Sequence, residues 1–330
     1  MSGKAPSPGF MPLPPGESLL PRIEAEPWRQ IDAGDVFLKG MAFDRDDNLV
    51  VMAAYPGEVD RSMGGRVDRS LLRVAPDGRM TAIVKQHGVR MCDHAIHADG
   101  RLFIACLTGE LLVASPDGSD LRPITTRWKE RPVKLSDLTF DSEGRLYVTD
   151  FTGYPGDPTG GVYRWSPDGQ SVERLMPNLV TPNGIAFAPD ERSLWVSCSL
   201  ANEIFHLGLD AGRETVQKAA VLYRLSGPAG GDGMRVDVQG NVYLAVNFQG
   251  RVLILNRHGI PIAGVLMPGR ERGDLLRTTN VAFKPGTSEV YVAASGEGSG
   301  AWIYRFEGLA EGAPLYSHRQ AAERRHSWLA

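Results

Sequence analysis

One short pattern of apolar and polar positions recurs six times along this chain of 330 residues. Each copy has a few small or polar residues, an apolar strand, a turn rich in Asp, Gly or Asn, and a second apolar strand. A third strand follows most copies, and a more weakly marked fourth strand comes after it. The residues that close the first strand recur at steps of 44 to 53 positions, namely Phe43, Ile96, Phe140, Phe187, Val236 and Phe283.

Four strands in a unit of about 45 residues are typical of a β-propeller blade. Six copies therefore predict an all-β fold, a six-bladed β-propeller with four-stranded blades. The last copy has only three clear strands, so we predict that the segment around residues 28–31 supplies its outer strand and closes the ring. The predicted domains are a Pro-rich N-terminal extension over 1–24, the propeller over 25–310 and a C-terminal tail over 311–330.

Composition narrows the classes of partner. The net charge is −3 with no run of basic residues, which predicts neither a nucleic-acid nor a membrane partner. The chain starts without the apolar stretch of a signal peptide and has no apolar run long enough to span a bilayer, which predicts a soluble, cytoplasmic protein. Its expected partner is a small-molecule substrate, and no pattern indicates an oligomeric state. The three cysteines, Cys92, Cys106 and Cys198, match no zinc-binding spacing.

Stacking the copies predicts where a site would lie. The first strand of each blade lines the central channel, so equivalent positions form rings around one axis. Four residues before each strand-closing residue comes a polar or thiol side chain: Lys39, Cys92, Ser136, Asn183, Asp232 and Thr279. The next ring contains Gly40, Asp93, Asp137, Gly184, Gly233 and Asn280. Polar groups that converge at a concave mouth favour a binding site, although each could instead bond to neighbouring backbone.

Three further residues are candidates near this mouth. His94 follows Asp93 and could carry protons, or it could be a hydrogen-bonded core histidine. Phe151 and Tyr154 follow the second strand of the third copy and could form an apolar wall over the mouth, or pack between blades.

Phrases such as TPNGIAFAPDERSLWVSC and GRVLILNRHG, within residues 136–169, 181–207, 231–262 and 267–293, resemble a known family. This is the senescence-marker-protein/gluconolactonase/regucalcin family of six-bladed metal-dependent lactonases, and in particular its bacterial drug-responsive lactonases. The resemblance implies one divalent cation, commonly calcium, on the channel axis. It also implies that Asn183 and Asp232 are ligands and that Asp232 is the catalytic base. Ser136 would take the place of a substrate-binding Asn, and Asp137 that of a second carboxylate near the ion.

Lys39 departs from this family, because it occupies the position of the metal-binding Glu. At 4 Å, a charge pair interacts by about 4 kcal/mol at an effective dielectric of 20, and a divalent ion doubles this repulsion. Lys39 could therefore replace the ion, or it could have a lowered pKa and act as a base or Schiff-base nucleophile. Alternatively, Glu58 or Asp60 in the inserted loop of the first copy could rebuild a metal site.

The predicted function is hydrolysis of a small lactone or related carbonyl compound. Asp232 is the expected base, with Lys39 or a divalent cation such as calcium polarising the carbonyl, and Asp137 or His94 moving protons. Lys39 also leaves open that no cofactor is bound. The alternatives are a metal-independent lyase or isomerase that uses Lys39, and a non-catalytic ligand-binding propeller. The predicted substrate-binding residues are Asn183, Ser136, Asn280, Tyr154 and Phe151.

Overall fold

A computed structural model describes residues 12–55, 59–60, 65–66, 68–227 and 230–318. The regular structure of these residues is almost entirely β. The only helices within these ranges are three short 3-10 turns, Pro15–Glu17, Arg270–Arg272 and Tyr316–His318. None of them is long or apolar enough to cross a bilayer.

The six sequence repeats form six antiparallel sheets, which are the blades. The four strands of blades 1 to 3, from the inside outwards, are Phe37–Phe43, Leu49–Ala54, Asp68–Val74 and Met80–His87; Met91–Ile96, Leu102–Cys106, Glu110–Ala114 and Arg122–Thr125; and Leu135–Phe140, Leu146–Asp150, Gly160–Trp165 and Val172–Leu179. Two short hairpins lie outside the blades. Val59–Asp60 pairs with Gly65–Arg66 between the second and third strands of blade 1, and Arg127–Trp128 pairs with Arg131–Pro132 in the connection from blade 2 to blade 3.

Blades 4 to 6 follow the same plan. Their strands in the order of the chain are Pro182–Phe187, Ser193–Cys198, Glu203–Leu209 and Val216–Arg224; Gly231–Val236, Val242–Val246, Arg251–Leu255 and Pro261–Leu266; and Arg277–Phe283, Glu289–Gly296 and Gly300–Glu307. Each inner strand contacts the inner strands of the next and the previous blade, and Arg277–Phe283 returns to Phe37–Phe43. The predicted six-bladed β-propeller is therefore confirmed.

The N-terminal strand closes the ring as the sequence predicts. Glu26–Asp32 pairs antiparallel with Gly300–Glu307 and becomes the outer strand of blade 6. Just before it, Arg22–Glu24 pairs parallel with Pro261–Leu266 as a fifth strand on blade 5. The residues that precede this strand are also held against blade 5, by a buried ion pair between Glu17 and Arg251.

Hydrophobic packing lies between the blades. Six separate apolar clusters fill the six interfaces between neighbouring sheets, which explains why the second strand of each blade is buried on both faces. At the far end of the channel, residues 311–318 cross the ring: the backbone N–H of Ala313 donates to the carbonyl of Val236 at 2.9 Å. Part of the segment predicted as a tail is thus packed against the propeller.

Candidate active site

The six residues predicted to ring one mouth are brought together there. They stand at or near the start of the inner strands, and every one of them except Lys39 is at most 5% exposed. Lys39 keeps 13% of its side chain exposed, so it is the member that solvent reaches most easily. Small side-chain rings of this kind favour a site for a small molecule rather than for a macromolecule.

Lys39 and Asp232 form an ion pair across the mouth. The Lys39 Nζ atom lies 2.9 Å from Asp232 Oδ1, and the amide of Asn247 donates to Asp232 Oδ2 at 3.1 Å. Burial is the largest influence on the pKa of Lys39 and would lower it, but the charge and hydrogen bond of Asp232, together with the nearby Cys92 and Asp93, outweigh burial and raise that pKa above its ordinary value. Lys39 is therefore an ammonium ion at neutral pH.

A chain of hydrogen bonds fills the opposite side of the mouth. Ser136 Oγ donates to Asn183 Oδ1 at 3.0 Å, and Cys92 Sγ lies 3.6 Å from Ser136 Oγ. Asn183 Nδ2 donates to Ser199 Oγ at 3.0 Å, and Ser199 Oγ donates to the carbonyl of Gly231 at 2.8 Å. These bonds fix the orientation of the Asn183 amide, with its oxygen towards Ser136.

Two buried hydroxyl groups hold the backbone beneath the mouth. Thr149 on the second strand of blade 3 donates to the carbonyl of Asn183 in blade 4. Ser197, at the same place in blade 4, donates to the carbonyl of Asp232 in blade 5 at 2.8 Å and accepts from the N–H of Gly184 at 2.8 Å. The two hydroxyls set the spacing between neighbouring inner strands, and hence the positions of the side chains that those strands present.

We expect Ser197→Ala to lower the free energy of unfolding by about 1–3 kcal/mol, because it strands a buried carbonyl and a buried N–H. Ser295→Ala is the matched control, since Ser295 is equally buried and its hydroxyl has no hydrogen-bond partner among the described residues. Urea denaturation of both variants measures the difference. Equal losses in the two variants would contradict the role given to Ser197.

The second ring carries a buried acidic layer beneath the mouth. Asn280 Nδ2 donates to Asp93 Oδ2 at 2.6 Å. Asp137 accepts from the backbone N–H groups of Leu138 and Ile185, at 2.7 and 3.0 Å. Glycine is needed beside these side chains: a Cβ on Gly40 would lie 2.1 Å from Asp93 Oδ1. Alternating large side chains with glycine lets the large ones reach across the axis.

Burial is the main cause of the raised carboxyl pKa values in this layer. It raises the pKa of Asp137 to about 6, partly offset by the positive charge of Arg235. It also raises the pKa of Asp93 well above its ordinary value, with the nearby Asp137 carboxylate acting in the same direction. Asp137 thus titrates near neutrality one layer below Asp232, and the acid–base role predicted for it stays a prediction.

Four of the predicted site residues make no side-chain hydrogen bond with the first ring among the described residues. Asn280 is 1% exposed and its amide donates to Asp93, one layer below the mouth, so its substrate-binding role stays a prediction. His94 is fully buried, and burial together with the positive charge of Arg235 lowers its pKa to about 3, which does not suit a group that carries protons. Tyr154 is 59% exposed on a turn closed by its bridge to Asp157, and Phe151 is half-buried. Among the described residues, no side-chain hydrogen bond joins either aromatic residue to the first ring, so the wall predicted for them stays a prediction.

The sequence reasoning overlooked two side chains that contact the mouth. Asn247 and Ser199 follow the second strands of blades 5 and 4, and both bond to residues of the first ring. Stacking the residue that follows the second strand in blades 1 to 5 would have found them, because Asn247 and Ser199 are the members of that set with short polar side chains, beside Tyr55, Leu107 and Phe151.

The mouth does not fit the divalent cation that the family resemblance implies. The ammonium of Lys39 is held against Asp232, the expected ligand, and would repel such an ion. The oxygen of Asn183 already accepts from Ser136. In the part of the chain that the structure describes, no group of three or more His, Cys, Asp or Glu side chains could hold a metal ion. Glu58 lies outside the described residues, as does the side chain of Asp60.

Residues 66–296 match the SMP-30/Gluconolactonase/LRE-like region family. The chain is 35% identical to Lactonase drp35 of Staphylococcus saprophyticus over 314 residues, which cover 92% of this chain and 93% of that protein. It is 34% identical to Lactonase drp35 of Staphylococcus aureus strain USA300 over 309 residues, or 90% of each chain.

Two solved structures share the fold at lower sequence identity. A gluconolactonase of Xanthomonas campestris, XC5397, is 19% identical with a TM-score of 0.66, and the match covers 84% of this chain and 88% of that one. Regucalcin of Agrobacterium tumefaciens, a calcium-binding protein, is 19% identical with a TM-score of 0.69, covering 90% and 99%. Taken with the family match and the identity to the staphylococcal lactonases, these findings establish that the chain belongs to the SMP-30/gluconolactonase/LRE-like family.

Proposed function

We propose that this chain is a lactonase-like hydrolase that opens a small lactone or a related cyclic carbonyl compound without a metal ion. The observation that carries the proposal is the 2.9 Å pair of Lys39 and Asp232 at the mouth of the channel. It puts a fixed positive charge and a carboxylate next to each other at the place where the family resemblance expects a cation and a base.

Lys39 offers hydrogen-bond donors and Asp232 offers acceptors at the same place. An ammonium has three N–H donors, and Asp232 takes one of those of Lys39. The remaining donors can stabilise negative charge that develops on a carbonyl oxygen. Each oxygen of Asp232 accepts one hydrogen bond, from Lys39 or from Asn247, and keeps a second lone pair for a water molecule.

These capacities define a balanced reaction. Asp232 accepts a proton from water while the water oxygen attacks the carbonyl carbon, and the oxyanion forms beside Lys39. The tetrahedral intermediate then collapses, the ring C–O bond breaks, and the proton on Asp232 passes to the leaving alkoxide. The product is the open hydroxy acid. Asn183 and Ser136, oriented by their mutual hydrogen bond, would bind the ring oxygens of the substrate.

The raised pKa of Lys39 disfavours the lysine-based alternatives. A Schiff-base nucleophile or a general base must be a free amine near neutral pH. Lys39 is held as an ammonium by Asp232 instead. This favours hydrolysis over the lyase or isomerase reading.

The test is hydrolysis by protein freed of metal. We expect protein dialysed against a chelator, and shown by elemental analysis to hold no divalent ion, to hydrolyse γ- and δ-lactones at its original rate in a pH-indicator assay. Treatment with borohydride in the presence of a ketone or aldehyde analogue of the lactone, which can form a Schiff base where a lactone cannot, should leave no reduced adduct on Lys39. Activity that disappears with the metal and returns with calcium would refute the metal-free mechanism, and no hydrolysis of any lactone would favour a ligand-binding propeller.

A further inference from the structure

The far end of the channel has a composition unlike that of the mouth. The residue just before each strand-closing residue is alanine in four copies, threonine in the third copy and arginine in the fifth. In chain order these residues are Ala42, Ala95, Thr139, Ala186, Arg235 and Ala282. Because these positions surround one axis, the small side chains leave space that Arg235 enters. The proposed hydrolysis makes no use of this end.

Arg235 is buried with part of its hydrogen-bonding capacity unused. It is 8% exposed, and it donates from Nη1 to the carbonyl of Met234 at 2.7 Å and from Nη2 to that of Met41 at 3.0 Å. Its Nε has no partner among the described residues. A guanidinium has five N–H donors, so three remain for a further acceptor.

A cavity of about 100 Å³ adjoins this guanidinium. Its walls are mostly apolar and include the strand-closing rings of Phe43, Phe140, Phe187 and Phe283. Residues 313–316 line its outer side, together with His318, whose Nε2 lies 3.1 Å from the carbonyl of Phe43. For comparison, an apolar cavity of about 150 Å³ is large enough to hold benzene.

A second unsatisfied polar group faces the same region. His94 and Arg235 both line a smaller adjoining cavity of about 20 Å³, and neither ring nitrogen of His94 has a partner within the described residues. Such a volume can hold one water molecule. Two acidic residues line the larger cavity, Glu191 and Glu311. The Glu191 carboxylate is already engaged by Arg213 and Ser142, and Glu311 is exposed. The charge of Arg235 also acts on Asp93 and Asp137, but within the described residues its two hydrogen bonds go to backbone carbonyls.

We propose that this far end is a second binding site, for a small aliphatic monocarboxylate of about the size of butyrate. The carboxylate accepts from Arg235, directly or through a water that also contacts His94, and the hydrocarbon tail lies among the phenylalanine rings. A planar guanidinium matches the geometry of a carboxylate, and apolar walls exclude strongly hydrated ions of similar charge. Residues 311–318 cover the site and must move aside for the ligand to enter.

The first experiment measures thermal unfolding of the whole chain with sodium butyrate. We expect a saturable rise of about 3–6 °C when butyrate is hundredfold above its dissociation constant. Butyramide, which has the same shape without charge, and sodium chloride at equal ionic strength should give no saturable rise. An equal rise with butyramide, or no saturable rise with butyrate, would overturn the proposal.

Variants then locate the site. Arg235→Met should abolish the rise, whereas Lys39→Met should retain it, because Lys39 lies at the other mouth. Should Arg235→Met fail to fold, Ala282→Leu keeps the arginine and fills the cavity, and it should reduce butyrate affinity at least tenfold. Loss of the rise in Lys39→Met, or an unchanged rise in Ala282→Leu, would place the anion elsewhere and refute the site. The result is independent of lactone hydrolysis, which is assayed separately on the same samples.

Discussion

Lys39→Met should lower kcat/KM for lactone hydrolysis by two to three orders of magnitude. The variant removes the positive charge that stabilises the oxyanion, and loss of one such donor in other hydrolases has an effect of this size. It also leaves Asp232, only 2% exposed, without its ionic partner, which should lower the free energy of unfolding by about 3–5 kcal/mol. Steady-state kinetics and urea denaturation measure the two effects.

A double variant separates catalysis from stability. Lys39→Met combined with Asp232→Asn removes both charges, so it should recover much of the stability lost in Lys39→Met and none of the activity. Lys39→Glu is the complementary experiment, because it restores the carboxylate that the family resemblance places there. We expect its activity to depend on added calcium. Lys39→Met with wild-type kcat/KM would rule out lysine as the electrophile.

Asp232→Asn should reduce kcat by two to four orders of magnitude with a smaller change in KM. An amide cannot accept a proton from water in the transition state, and this is the usual contribution of a general base. The isosteric amide still fills the same space beside Asn247, so the variant should fold.

Asp237→Asn is a matched control on the same blade. Asp237 is also fully buried, but its carboxylate accepts from Asn241 and Tyr243 in the turn at the opposite end of the inner strand. We expect this variant to be less stable than wild type and to keep its kcat. If both variants lost kcat to the same extent, the effect of Asp232→Asn would be one of folding, and the assignment of Asp232 as the base would fall.

The repeat period made the ring of the mouth predictable from sequence. Residues at one position in six copies of a unit must surround one axis, so the meeting of Lys39 with Asp232 follows from counting alone. The closing strand near residues 28–31 was predictable for a similar reason, since blade 6 lacked a fourth strand and an open edge is unfavourable.

The direction of individual side chains was less predictable. His94 occupies a ring position beside polar neighbours, yet the strand turns its imidazole into the apolar layer, where burial lowers its pKa. The Asn280 side chain packs against Gly233 and donates to Asp93 instead of facing the mouth. Both outcomes depend on rotamers and on contacts between blades, which position in a repeat does not specify.

The middle of the channel is closed, so small compounds can reach each end only from its own side. Met41, His94, Leu138, Ile185, Met234 and Val281 are each at most 1% exposed, so nothing passes from one side of the ring to the other. In the proposed hydrolysis, the lactone and its hydroxy acid would therefore enter and leave through the same mouth, and the acid would have to leave before the next lactone binds. A compound bound at the far end of the channel cannot block the mouth. It could affect binding at the mouth only through the inner strands, which line both ends of the channel.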